Sequence, residues 1–289
     1  MTFVVPSQTS VETSVPAVWG CRETVRGYLD PWAIGEALAP AWRFAWASPD
    51  GTVRLALGAA LTFTATGSDR FAAVGEFAEN LWRSAGDSPP PLFGGFAFAP
   101  ESQGPFPAAA WFVPRWLIQG QGEEWAIAAY GMHRPTVRED LQRLKQVLAR
   151  AAAPALPNRL RWVETDDRPW EKAVAAALQE IAQGKLQKVV LSRALDVAAE
   201  RAIDLGQTWR RLGERYPQCT RFVVQLGGET AFIGASPERL LAVQGAVWCS
   251  DAVAGSRPRG QTPAEDQTWG DRLLTSPKDR WEHDLEVQS

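Results

Sequence analysis

Four short stretches in the second half of the 289-residue chain set polar residues among apolar neighbours. The first is Lys188-Val189-Val190-Leu191-Ser192-Arg193. A lysine beginning a buried strand loses solvent, which lowers its pKa and favours the neutral amine. A neutral amine can act as a general base, a role worth about 10²–10⁴ in rate. The plainer reading is a solvated lysine entering an edge strand. The second stretch is Phe232-Ile233-Gly234-Ala235-Ser236-Pro237-Glu238-Arg239-Leu240. Its strand ends at a turn and Pro237 fixes the backbone, so Glu238 can be aimed into a cleft. The plainer reading is a helix-start glutamate paired with Arg239 or with the helix dipole. The third is Ala252 to Gly260, in which Ala254-Gly255-Ser256 offers small side chains that let a ligand approach the backbone. An ordinary loop leaving a strand would look the same. The fourth is Lys278-Asp279-Arg280-Trp281-Glu282-His283. On a helix Asp279, Glu282 and Glu286 share one face, and Glu282 could hold Mg²⁺ through one carboxylate. A solvated face with a Lys278–Glu282 pair at i, i+4 is the simpler account.

Other chemistries fall away. There is no G-x-x-x-x-G-K-[ST] and no strand followed by G-x-G-x-x-G. A G-x-S-x-G elbow is also lacking. Two histidines, His133 and His283, are too few for a multi-histidine metal site. Three widely spaced cysteines suggest neither a disulfide framework nor zinc, and fit a reducing cytosol. A net charge of −3 gives no support to nucleic-acid or membrane-surface binding. The first residues lack the pattern of a signal peptide, and no apolar run is long enough to span a membrane. The fourteen tryptophans are scattered, as core and subunit packing residues would be.

The elements that must position these residues can be read from spacing. Asp30-Pro31 caps a helix through Trp32, Ile34 and Leu38. Strands are expected near Trp42–Ala47 and Val53–Leu57, joined by Pro49-Asp50-Gly51, with a third at Leu61–Thr66. Phe71, Val74, Phe77, Ala78, Leu81 and Trp82 fall at helical spacing. Phe93-Gly94-Gly95-Phe96-Ala97-Phe98 reads as a strand whose glycines permit close backbone approach. Trp111–Ile118 and Trp125–Tyr130 form a strand pair, and Val137, Leu141, Leu144 and Leu148 a helix. The prolines of Ala151–Pro157 mark a linker, dividing the chain into domains 1–157 and 158–289. The second domain opens with a helix capped by Asp166 or Asp167, carrying Trp170, Val174, Leu178 and Ile181 and ending at Gly184. A strand from Gln187 to Val197 follows, then a helix around Trp209 and Leu212. Strand pairs are expected at Thr220–Leu226 with Thr230–Ile233, and at Leu240–Val243 with Ala246–Ser250. Hairpins outnumber strand–helix–strand units, which predicts an α+β fold of mostly antiparallel sheets with helices packed outside.

In order and spacing, K-V-V-L-S-R, F-I-G-A-S-P-E-R-L, A-G-S-R-P-R-G and K-D-R-x-E-H resemble successive blocks of the chorismate-utilising enzymes. The resemblance is strong from about Trp170 to Ser289. Before that it is weaker, though Phe93–Phe98 resembles a block of the isochorismate synthase branch. It implies the chorismate-binding fold of anthranilate synthase component I. Amination enzymes of the family carry glutamine where this chain has Lys188, and aminodeoxychorismate synthases often carry lysine at the position of Ala254. The implied nucleophile is therefore water, and the implied type is isochorismate synthase. By resemblance, Lys188 deprotonates water for attack at C2 of chorismate, and Glu238 protonates the departing C4 hydroxyl. Glu282 binds Mg²⁺, and Ala254, Gly255 and Ser256 border the substrate. Ser256 replaces the usual threonine and keeps its hydroxyl. A base and an acid coexisting near neutral pH require a site that perturbs both pKa values.

The resemblance also implies a product serving naphthoquinone (menaquinone or phylloquinone) or siderophore biosynthesis. Salicylate synthase, which shares the lysine, is the alternative. The family continues past the E-H block, so the chain is expected to be C-terminally incomplete and inactive by itself. It would then be a truncated or split product needing a complementing C-terminal chain.

Overall fold

The computed structural model describes residues 15–27, 29–85, 89–102, 104–148, 160–162 and 168–288. In chain order the elements are β1 (Trp19–Arg26), α1 (Pro31–Leu38), β2 (Trp42–Ala47), β3 (Val53–Ala65), α2 (Arg70–Ala85), β4 (Phe93–Phe96), β5 (Ala109–Gln121), β6 (Glu124–Gly131) and α3 (Arg134–Leu148). Then come β7 (Leu160–Trp162), α4 (Arg168–Ala182), β8 (Val197–Ala199), α5 (Leu205–Arg215), β9 (Thr220–Leu226), β10 (Ala231–Ser236), β11 (Ala242–Gln244), β12 (Val247–Cys249), α6 (Pro263–Thr275) and α7 (Pro277–Gln288). They fall into two compact units. The first gathers the residues up to 155 with Asp204–Pro237; the second gathers Leu156–Ile203 with Glu238–Ser289.

The first unit is built on an antiparallel sheet ordered β1-β6-β5-β3-β2-β9-β10, with β4 also pairing β5. Alternation along β2 buries Ala45 and Ala47 on one face, where Leu55 and Leu57 of β3 and Trp116 and Ile118 of β5 join them. Trp32, Ile34 and Leu38 of α1, Val137, Leu141 and Leu144 of α3, and Trp209 of α5 complete that core. The Asp30 cap is formed: its Oδ1 accepts the N–H groups of Trp32 and Ala33 at 3.0 and 3.2 Å. Phe77 and Leu81 of α2 pack with Val113 and Phe63. The other face holds a fully buried aromatic, Phe112, against Trp42 and Phe93, with centroids 5.3 and 6.3 Å away. Beside it lies an apolar hollow of about 550 Å³ lined by Phe44, Phe96, Phe106, Phe222 and Phe232. Gly94 meets its expected purpose: a Cβ there would stand 2.1 Å from the Ala110 carbonyl oxygen.

Three expectations are corrected. Val53–Leu57 and Leu61–Thr66 are one strand, β3, with a register shift between Ala59 and Leu61 opposite Pro114. A bulge there lets the ladder pass a residue with no N–H to donate. A single cut after residue 157 does not describe the contacts, because β9 pairs β2 from Trp42↔Leu226 to Ala47↔Arg221. Val223 needs the core that β2 and α5 provide, and local sequence cannot reveal that partner. The strand expected from Gln187 to Val197 is reduced to β8, which pairs β7. Extended backbone counts as sheet only with a neighbour to bond to, and among the described residues none lies along 188–193. The linker Ala151–Pro157 and the caps Asp166 and Asp167 lie outside the described residues.

The second unit is smaller and more open. Its helix α4 ends at Gly184, whose φ of 72° suits glycine. Leu178 and Ile181 of the α4 stripe are 61% and 37% exposed. The expected hairpin of β11 and β12 is present, with Val243 opposite Trp248.

Candidate active site

Helix α7 organises the candidate site within the second unit. Pro277 starts it, and the Asp279 N–H donates to Ser276 Oγ at 3.3 Å. The helical period then places Asp279, Glu282 and Glu286 on one face. Asp279 is buried, at 5% exposure, and accepts a hydrogen bond from the Arg257 guanidinium. Gly255 has φ 78°, and a Cβ there would stand 3.1 Å from the Asp279 Cβ. The Ser276 hydroxyl and the Arg257 guanidinium hold the Asp279 carboxyl below the usual carboxylate range. The loop Ala254-Gly255-Ser256 is therefore fastened to α7 through its next residue, Arg257.

Lys188 meets the same face one turn later. Its Nζ donates to Glu286 Oε1 at 2.5 Å and lies 3.8 Å from Glu282 Oε1. Lys278 Nζ approaches Glu282 Oε2 at 3.5 Å, the i, i+4 pair expected from the sequence. The hydrogen bond that Lys188 donates to Glu286, aided by both carboxylate charges, raises the Lys188 pKa. That reverses the expectation of a neutral amine. Two facing anions favour the ammonium more than partial burial disfavours it.

Glu238 stands exposed just after β10. No helix starts there, and the Arg239 guanidinium pairs with Asp251 at 3.0 Å. Lys188 and Glu282 are thus brought together, and Ala254, Gly255 and Ser256 reach the same helix. The arginines of A-G-S-R-P-R-G were the overlooked part of the motif. Arg257 grips Asp279, and Arg259 makes a two-point bond with Asp266 at 2.7 and 2.5 Å. Spacing alone could not have matched these partners.

The Arg259 bond and the Gly260 N–H hold the Asp266 carboxyl at about 2, below its ordinary 3.8. A depressed carboxylate stabilises the folded chain above the unfolded value and loses that contribution as pH falls through the folded one. Carbon-detected NMR is therefore expected to show Asp266 titrating near 2, and Arg259→Gln should return it towards 3.8. An unchanged midpoint in the variant would show that the guanidinium is not the cause.

As for a metal, Mg²⁺ takes oxygen donors, often one or two carboxylates with several waters. Glu282 supplies a donor of that class, at present turned to lysine ammonium groups. Among the described residues no group of three or more histidine, cysteine, aspartate or glutamate side chains could hold a metal.

Residues 20–289 match the family model described as chorismate binding enzyme. The salicylate biosynthesis isochorismate synthase of Pseudomonas aeruginosa is 30% identical over 266 residues, covering 84% of this chain and 54% of that protein. Isochorismate synthase EntC of Escherichia coli (strain K12) is 40% identical over 120 residues, covering 42% of this chain and 31% of its own length. The solved menaquinone-specific isochorismate synthase of Escherichia coli, MenF, superposes with a TM-score of 0.74 at 21% identity. That likeness in fold covers 95% of this chain and 63% of MenF. The chain thus spans from about a third to under two thirds of the length of these relatives. A match running through nearly the whole sheet and all four motif blocks places the chain in the chorismate binding enzyme family.

Proposed function

We propose that these residues serve an isochorismate synthase reaction, in which water adds at C2 of chorismate and the C4 hydroxyl leaves. Lys188 takes a proton from the attacking water. Glu238 gives a proton to the departing hydroxyl, so a water leaves as a water arrives and the change is an isomerisation. Ala254, Gly255 and Ser256 let the substrate lie close to the backbone. Mg²⁺ held through Glu282 would supply positive charge for the ring carboxylate in a chain of net charge −3. The observation that carries this reading is the meeting of Lys188 with Glu282 on α7, whose helix also receives the Gly255 loop. The relatives named above are isochorismate synthases.

The reading includes a cytosolic setting; among the described residues no helix is long and apolar enough to cross a membrane, and the three cysteines are free thiols.

The test is an assay of residues 1–289 and, where the reading frame continues past codon 289, of the longer product, each with chorismate and Mg²⁺. Isochorismate formed from chorismate is the expected result. Salicylate with pyruvate would move the assignment to salicylate synthase. No consumption of chorismate by either form would overturn the enzyme reading.

A further inference from the structure

Both oxygens of Glu282 already face cations: Oε1 the ammonium of Lys188, and Oε2 that of Lys278. The two lysines differ in how firmly they are held. The Lys278 side chain is 84% exposed, as expected of a surface i, i+4 pair of little strength. The Lys188 side chain is 20% exposed and makes its shorter contact, 2.5 Å, with Glu286. Glu286 comes from a part of the sequence 98 residues away and one helical turn beyond Glu282. Mg²⁺ sits about 2.0–2.1 Å from its oxygen ligands and tolerates little distortion. An ammonium beside the same carboxylate opposes it by charge and by space.

We propose that Glu286 parks the Lys188 ammonium across Glu282, so that this lysine and a divalent cation exclude each other from the Glu282 carboxylate. The proposal deepens the functional reading and rests on its assignment of Glu282 to the metal. The coupling must be reciprocal: whatever the lysine costs the metal in affinity, the metal costs the lysine in pairing.

The probe is Mn²⁺, followed by the electron paramagnetic resonance signal of the free ion, with residues 1–289 as the protein. Lys188→Met is expected to bind Mn²⁺ at least about fivefold more tightly than the unaltered chain, the lower end of ordinary coupling. Lys278→Met removes the same formal charge beside the same carboxylate, and its affinity should change less than about twofold. Equal affinities for Lys188→Met and the unaltered chain overturn the proposal. So do equal gains from the two variants, and so does an absence of Mn²⁺ binding to Lys188→Met.

A second measurement needs no substitution. Acetylation of Lys188 in the unaltered chain, followed by peptide mass spectrometry with Lys172 as reference, should quicken as Mg²⁺ is added. A Lys188 rate indifferent to Mg²⁺ overturns the proposal as well. Failure of the reaction reading would look different. Chorismate would go unconverted while metal and lysine still competed.

Discussion

Lys188→Ala is expected to lower kcat for isochorismate formation by about 10²–10⁴, the usual worth of a positioned general base. KM for chorismate should stay close to that of the unaltered protein, because the lysine is proposed to act on water. The variant is measured in whichever form of the protein converts chorismate. The pH dependence gives an independent check. Glu286 raises the Lys188 pKa, so the rate limb that reports the neutral amine should lie on the alkaline side. A Glu286→Gln variant should move that limb towards lower pH. Turnover near that of the unaltered protein in Lys188→Ala would remove this residue from the mechanism, leaving its pairing with α7 as a structural contact.

Phe112→Ala is expected to destabilise the first unit by about 3–5 kcal/mol, the range for emptying a fully buried aromatic site. The ring has no exposed surface, and Trp42 and Phe93 pack against it from different strands. Collapse around the gap would require β2 and β4 to move together, which the shared pairing with β3 and β5 resists. Urea unfolding followed by tryptophan fluorescence should show a lower midpoint with an unchanged slope. A loss below about 1 kcal/mol would mean that the aromatic cluster repacks freely. Phe71→Ala is a useful comparison, since that side chain is 55% exposed and should cost far less.

Much of the first unit was legible because its signals are local. The period of Val137, Leu141 and Leu144 marked a helix and its buried face at once. Asp30-Pro31 announced a cap, and Pro49-Asp50-Gly51 a turn. What was not legible depends on distant partners. Nothing near Thr220–Leu226 says that β2 is its neighbour, and nothing near Lys188 says that residues 189–193 form no ladder with the described strands. The site divides the same way. Residue types in order carried the family resemblance, and the helical period put Asp279, Glu282 and Glu286 on one face. The pairing of Lys188 with Glu286 was not legible, because only the folded chain brings that acid to it.

The pairing of β2 with β9 also bears on the order of events during synthesis. β2 emerges early, yet the strand that covers its free edge emerges only after the whole intervening stretch, including α4 and β8 of the other unit. At roughly 5–20 residues per second, β2 waits on the order of ten to thirty-five seconds. Through that interval the nascent chain offers an unpaired edge, the kind of surface that recruits other strands. Contacts between such distant segments also slow folding, because a long loop must close before they contribute. The first unit is thus a late-closing structure, and faster synthesis of the stretch between β2 and β9 shortens the time for which that edge stands open.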